Sequence, residues 1–244
     1  MIERIVDHEN YLVRLPANPK SEDAILFLHG FPSNKGVKNL DVALYARDEL
    51  NRDVFIVHYK GLGESVGDFL YTTAIRETID LVEWLVQKKG YKKIQLVGHS
   101  FGGLVAVNCA IAHPDLIGSI LLISPFCHMV TTEPLYRWFT EDVRTESPEI
   151  FRDRPKQEVK ADVDQVLAKH LPLDLAPDVS EQIKIAILQS KGDNVTPAST
   201  TKQFAARLKR APVYEELDQD HGFAQDRMEF SRAINRLLAD LTHE

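Results

Sequence analysis

The run Ile94-Gln95-Leu96-Val97-Gly98-His99-Ser100-Phe101-Gly102-Gly103-Leu104 decides how the rest of the chain is read. An apolar stretch of strand length leads into Gly-x-Ser-x-Gly, and residues 104–112 continue as an apolar run of helical length, so the segment reads strand, sharp turn, helix. A serine on so tight a turn needs strained backbone angles, and side chains two positions to either side would collide across it. Gly98 and Gly102 remove the collision. The turn lifts the Ser100 hydroxyl clear of the sheet and sets it at a helix N-terminus, where free N–H groups and the helix dipole favour negative charge. Ser100 is therefore a candidate nucleophile, against the plainer alternative of a glycine-rich turn with an incidental serine. What separates the two is whether the chain also supplies a base, an acid and an oxyanion site.

Outward from this run, short β-rich apolar segments at 24–28, 54–58, 94–97, 119–123, 183–189 and 213–217 alternate with stretches of helical period. The alternation predicts an α/β fold, a mostly parallel central sheet flanked by helices, and near-continuous apolar strands are expected where helices cover both faces. Residues 2–15 add an antiparallel hairpin. Ile75, Ile79, Val82 and Val86 mark one helix face ending at Gly90, and Phe230, Ile234, Leu237 and Leu241 mark the last helix. From Pro125 to about Ser180 no strand candidate occurs, only charged helical fragments with Tyr136, Trp138 and Phe139. Residues 126–180 read as a small helical cap inserted within a single domain, 1–244, because the composition shifts toward neither linker nor low complexity.

The 244 residues are 44% hydrophobic, enough for a sizeable core, and 29 basic against 36 acidic side chains give a net charge of −7. No general field favours a phosphate backbone or an anionic membrane, so nucleic acid is not an expected partner. The lysines at 88, 89, 92 and 93 flank the Gly90 helix end, where cations suit the dipole. Two cysteines, Cys109 and Cys127, make no disulfide framework, and Cys109 reads as a buried thiol. The charged start Met1-Ile2-Glu3-Arg4 lacks the apolar core of a signal peptide, and no run approaches the roughly 18 apolar residues of a membrane span. A cytoplasmic protein is expected.

A serine hydroxyl is a weak nucleophile until a base takes its proton. Of nine histidines His221 is the candidate, because Asp218-Gln219-Asp220-His221-Gly222-Phe223 lies just past the last strand, over the carboxyl edge of the sheet. His99 is expected to point away from Ser100, and His29, ending a strand, to brace the loop beside it. His8, His58, His113, His128, His170 and His243 have no comparable placement. His221 needs a buried carboxylate to hold its tautomer and offset its charge. Asp193, in Ser190-Lys191-Gly192-Asp193-Asn194-Val195-Thr196-Pro197, fits, with Thr196 expected as the N-cap and Pro197 as the first residue of the following helix. Asp218 and Asp220 are rivals, although residues so close along a loop rarely address the same ring nitrogen. In His29-Gly30-Phe31-Pro32, Gly30 permits close approach and Pro32 has no N–H, so the Phe31 amide, joined by the Phe101 amide, is the expected oxyanion donor. All four pieces fall at carboxyl ends of strands, where open α/β sheets place their sites. Metal-ligand spacing is absent, so neither a metal nor another cofactor is expected.

Together His29-Gly30-Phe31-Pro32, Gly98-His99-Ser100-Phe101-Gly102-Gly103, Asp193 and His221-Gly222 resemble the α/β-hydrolase family in the chain order Ser, Asp, His, over nearly the whole chain. The short cap and serine nucleophile most resemble small bacterial serine carboxylesterases, of the cinnamoyl/feruloyl esterase and monoglyceride-lipase-like branches. Tyr59-Lys60-Gly61-Leu62-Gly63-Glu64-Ser65 resembles the family's turn after the next strand, with His58 and Lys60 where Asp and Arg are usual. The resemblance implies an α/β-hydrolase fold whose cap precedes the acid-bearing strand. It also implies an esterase in which Ser100, Asp193 and His221 cleave a small to medium ester through an acyl-enzyme, with Phe31 and Phe101 amides as the oxyanion hole. A thioesterase or C–C hydrolase would use the same set, and a catalytically silent binding protein would keep the fold. The expected partner is a small-molecule ester, with a homo-oligomer left open.

Overall fold

The computed structural model describes residues 3–7, 10–17, 21–32, 39–152 and 154–242. Eight strands form one sheet: β1 (Glu3–Asp7), β2 (Asn10–Leu15), β3 (Ala24–Leu28), β4 (Asp53–His58), β5 (Ile94–His99), β6 (Ile117–Ile123), β7 (Lys184–Ser190) and β8 (Val213–Leu217). Their order is β1-β2-β4-β3-β5-β6-β7-β8; β1–β2 and β2–β4 pair antiparallel and every neighbour from β4 to β8 is parallel. The six strands expected from the sequence are present within two residues of their expected ends, and so is the hairpin, although Ile2 and the turn at 8–9 lie outside the described residues, as do His8 and His243. The helices are α1 (Leu40–Leu50), α2 (Tyr71–Gln87) and α3 (Phe101–Ala112), then α4 (Pro134–Arg137), α5 (Val143–Glu146), α6 (Pro148–Phe151), α7 (Lys156–Lys169) and α8 (Pro172–Leu175) between β6 and β7, and finally α9 (Ala198–Arg207) and α10 (Arg227–Asp240).

Side chains alternate across the sheet, and both sets are buried. Ile25, Phe27, Val54 and Ile56 pack with Val42 and Ala46 of α1 and with Phe230, Ile234 and Leu237 of α10. Leu26, Leu28, Phe55 and Val57 pack on the other face with Ile75 and Val82 of α2, Leu104 and Val107 of α3 and Phe204 of α9. The chain steps from β3 to β4 in one direction and from β4 back past β3 to β5 in the other. Right-handed crossovers then put α1 and α2 on opposite faces. The reversal opens a crevice between the carboxyl ends of β3 and β5, where the Phe31 and Ser100 loops begin.

Strand β8 departs from the fully buried expectation. It is the sheet edge, with Val213 exposed and Tyr214, Glu215 and Glu216 half-buried, and its carboxylates pair with Arg236 and Lys202. Charge on an edge strand blocks further strand pairing.

Among the described residues the insertion carries no strand. A single π-helical turn (Trp138–Asp142) joins α4 to α5. Polar ties fasten the insertion to the body, among them the following. Asp162 of α7 accepts hydrogen bonds from the Tyr71 (2.7 Å) and Thr72 (3.4 Å) amides, serving free N–H groups at the start of α2. His170 donates to Asn108 Oδ1 at 2.7 Å, and Asn108 Nδ2 donates to the His170 carbonyl at 3.0 Å, which ties the insertion to the helix behind Ser100. Among the described residues no helix is long and apolar enough to cross a membrane.

Candidate active site

Ser100, between β5 and α3, has φ 55 and ψ −119, a left-handed φ that a non-glycine residue rarely adopts. A Cβ at Gly98 would lie 2.4 Å from the Gly102 carbonyl oxygen, and one at Gly102 would lie 2.1 Å from that of Leu28, so neither position admits a side chain. The end of β6 clamps the elbow: Ser100 N donates to the Ile123 carbonyl (3.0 Å), and Phe126 N donates to the Ser100 carbonyl (2.9 Å).

Strand β7 delivers Asp193 and β8 delivers His221. His221 Nδ1 donates to Asp193 Oδ2 at 2.7 Å, which leaves Nε2 as the nitrogen free for proton transfer. The His221 ring lies 5.1 Å from the ring of His99, the neighbour of Ser100. The Asp193 side chain is wholly buried, and burial alone would raise its pKa. The His221 bond, the Thr196 amide on Oδ1 (2.7 Å) and the Thr196 hydroxyl on Oδ2 (2.8 Å) outweigh that and hold it at about 2; the Val195 amide also donates to Oδ1 (2.9 Å). The rivals Asp218 and Asp220 are exposed, and Asp220 Oδ1 instead accepts from the Ala224 amide at 3.3 Å.

Gly30 lies against the nucleophile, where an added Cβ would sit 3.0 Å from Ser100 Cβ and 3.6 Å from Ser100 Oγ. Phe31 follows Gly30 in the chain, as Phe101 follows Ser100. His29 braces this loop: its Nδ1 donates to the Gly30 carbonyl (2.8 Å) and its own carbonyl accepts from the Tyr59 hydroxyl (3.3 Å). In the neighbouring turn His58 Nδ1 accepts from the Glu64 amide (3.0 Å), and Lys60 Nζ lies 3.8 Å from a carboxylate oxygen of buried Glu77.

Several structural details differ from or add to the sequence reading. Helix α9 begins at Ala198 with Pro197 as its N-cap, one residue later than expected, and Thr196 is turned toward Asp193 instead of capping. Ser190 donates from its hydroxyl to the Gln219 carbonyl, and Gln219 reaches the Asp226 carbonyl (3.1 Å) and Glu229 (2.9 Å), so the Asp193 and His221 loops are tied together and to the start of α10. The local pattern marks none of Ser190, Thr196 or Gln219 for these contacts: Thr196 reads locally as a helix cap, and Ser190 reaches Gln219 in another loop. Of the segment at 135–139, Tyr136 turns into the insertion and donates to Asp164 (2.6 Å), while the Phe139 and Trp138 rings lie 5.7 and 6.0 Å from Phe31. The insertion therefore roofs the Phe31 loop. Both cysteines are buried, and burial pushes their thiols far up. A cavity of about 190 Å³, lined in part by Arg52, Lys93, Gln95 and Lys184, opens at the amino ends of the strands, the edge opposite Ser100. Among the described residues no cluster of three side chains is arranged to hold a metal ion.

The chain is similar to a probable lysophospholipase, BODYGUARD 3 of Arabidopsis thaliana, at 32% identity over 46% of this chain and 23% of that protein. It spans less than half the length of the curated relatives it matches first. Its fold is shared with the monoacylglycerol lipase of Paleococcus ferrophilus (17% identity, TM-score 0.72, 96% of this chain and 100% of that one). It is shared equally with Est1E of Butyrivibrio proteoclasticus, solved with ferulic acid bound (16% identity, TM-score 0.72, 99% and 98%). The family model for the alpha/beta hydrolase fold matches residues 23–145, a segment that holds Phe31 and Ser100 and ends before Asp193 and His221. Since that match covers just over half of the sequence and runs through the β5 elbow, the chain belongs to the α/β-hydrolase family.

Proposed function

We propose that the protein is a serine hydrolase that cleaves a carboxylic ester of small to medium size through an acyl-enzyme. The observation that carries this reading is the 2.7 Å bond between His221 Nδ1 and a wholly buried, ionised Asp193, beside a serine on a strained elbow. In the first half-reaction the Ser100 oxygen attacks the ester carbonyl while His221 Nε2 takes the hydroxyl proton, and the Phe31 and Phe101 amides stabilise the oxyanion. Collapse of the tetrahedral intermediate breaks the bond to the leaving oxygen, which departs as the alcohol with the proton from His221. Water then repeats the sequence, giving its proton to His221 and releasing the carboxylic acid and Ser100. Asp193 keeps the imidazole in one tautomer and offsets the charge it gains.

The relatives named above, a probable lysophospholipase and a monoacylglycerol lipase among them, support an ester as the bond cleaved. The low aromatic roof of Trp138 and Phe139 over Phe31 supports a compact acyl site. The test is a panel of esters of graded chain length and aromatic content, run with wild type and Ser100→Ala. Turnover of short and medium esters by wild type alone is the expected result. Equal turnover by Ser100→Ala, or faster hydrolysis of long-chain triglyceride emulsions than of short esters, would overturn the reading.

A further inference from the structure

We infer that Thr196 is a positioning residue: its hydroxyl fixes the Asp193 oxygen that faces His221 and ties that carboxylate to the strand end holding the main chain of Ser100. The inference rests on the proposed roles of Ser100, Asp193 and His221. Thr196 is buried, and its Oγ1 lies 2.8 Å from Asp193 Oδ2, 3.0 Å from the Ser124 carbonyl oxygen and 3.3 Å from His221 Nδ1. His221 Nδ1 gives its own proton to Oδ2, so the single hydroxyl proton of Thr196 is shared between Oδ2 and the Ser124 carbonyl, and its lone pairs face the imidazole N–H.

Helix capping does not explain this hydroxyl, since α9 starts two residues later and takes no side-chain cap. Its partners are instead the acid, the base and the end of β6. Asp193 Oδ1 is pinned by two main-chain amides, whereas Oδ2 has only His221 and the Thr196 hydroxyl. Removing the hydroxyl leaves Oδ2 held by the imidazole alone. Ser124, in the left-handed region at φ 38, adjoins Ile123, whose carbonyl accepts from Ser100 N. Thr196 therefore joins the acid loop to the segment that clamps the nucleophile. A donated hydrogen bond also disperses carboxylate charge.

Valine is nearly isosteric with threonine and retains the Thr196 amide bond to Oδ1, and serine retains the hydroxyl. In Thr196→Val, kcat on a small activated ester is expected to fall on the order of tenfold with KM nearly unchanged, equivalent to one charge-assisted hydrogen bond. Thr196→Ser should restore kcat. Hydrogen exchange of the His221 Nδ1 proton, read by NMR, needs no substrate: exchange should be on the order of tenfold faster in Thr196→Val and as in wild type in Thr196→Ser. If wild type hydrolyses no ester, the proposed function fails while the exchange comparison still decides the role of Thr196. Wild-type exchange in Thr196→Val, or a Thr196→Ser variant as impaired as Thr196→Val, would overturn the inference.

Discussion

His99 Nε2 donates a 2.8 Å hydrogen bond to the main-chain carbonyl oxygen of His221, so the residue beside Ser100 holds the loop that carries His221. The elbow directs His99 away from the Ser100 hydroxyl, as the Gly-x-Ser-x-Gly geometry requires, yet that direction is where the β8 loop passes. His99→Ala removes the side chain that spans from the elbow to this carbonyl. Its kcat should fall on the order of tenfold, and its unfolding free energy by about 1–3 kcal/mol, the range for an unpaired buried acceptor. Steady-state kinetics with denaturant unfolding checks both; an unchanged kcat would show that the base loop needs no support from the elbow.

Asp193→Asn should lower kcat by about 10³–10⁴, because the amide can hold the imidazole in the wrong tautomer. Asp218→Asn and Asp220→Asn alter exposed side chains of the same loop and should stay within a few fold of wild type. A three-variant comparison with the reverse ranking would move the acid to the His221 loop.

Asp193 also links stability to pH. Its folded-state pKa of about 2 lies below the ordinary 3.8, so the ionised form is favoured by folding. That stabilisation, about 2 kcal/mol, is complete above the unfolded value and is lost as pH falls from about 4 through 2. Urea unfolding in steps from about pH 5 to about pH 2 should therefore show a steeper loss of stability for wild type than for Asp193→Asn. Parallel curves would contradict the strongly depressed carboxyl.

The two aromatic residues of the roof should separate by function. Phe139 is buried, with Phe31, Tyr71 and Phe126 rings at 5.7, 5.4 and 5.4 Å, so Phe139→Ala should destabilise by about 3–5 kcal/mol. Trp138 is half-buried and donates to exposed Glu146 at 2.9 Å. Trp138→Ala should be the milder change for stability and should raise KM for a bulky ester more than for a small activated one. Thermal unfolding and kinetics on two esters check this, and equal effects on both esters would remove Trp138 from the substrate site.

The strands and the Ser100 elbow were legible in the sequence because each is written in consecutive residues: apolar runs flanked by helical period, and glycines where a Cβ would strike Gly102 or Leu28. Asp193 and His221 were legible from their position past β7 and β8. The supports were not, because Thr196, Ser190, Gln219 and His99 act across loops that meet only when the sheet forms. Thr196-Pro197 reads locally as a helix start, and the three-dimensional pull of the buried carboxylate moved that start to Ala198. The exposed edge of β8 was hidden for a similar reason, since strand order is not contained in any one strand's composition.

The central claim is that the Ser100 oxygen forms the covalent bond to substrate. Incubation with a fluorophosphonate, followed by intact-protein mass and peptide mapping, tests it without knowledge of the natural ester. The account predicts one adduct, on the peptide containing Ser100, absent in Ser100→Ala and strongly slowed in Asp193→Asn. No adduct on wild type, or an adduct that persists in Ser100→Ala, would contradict it.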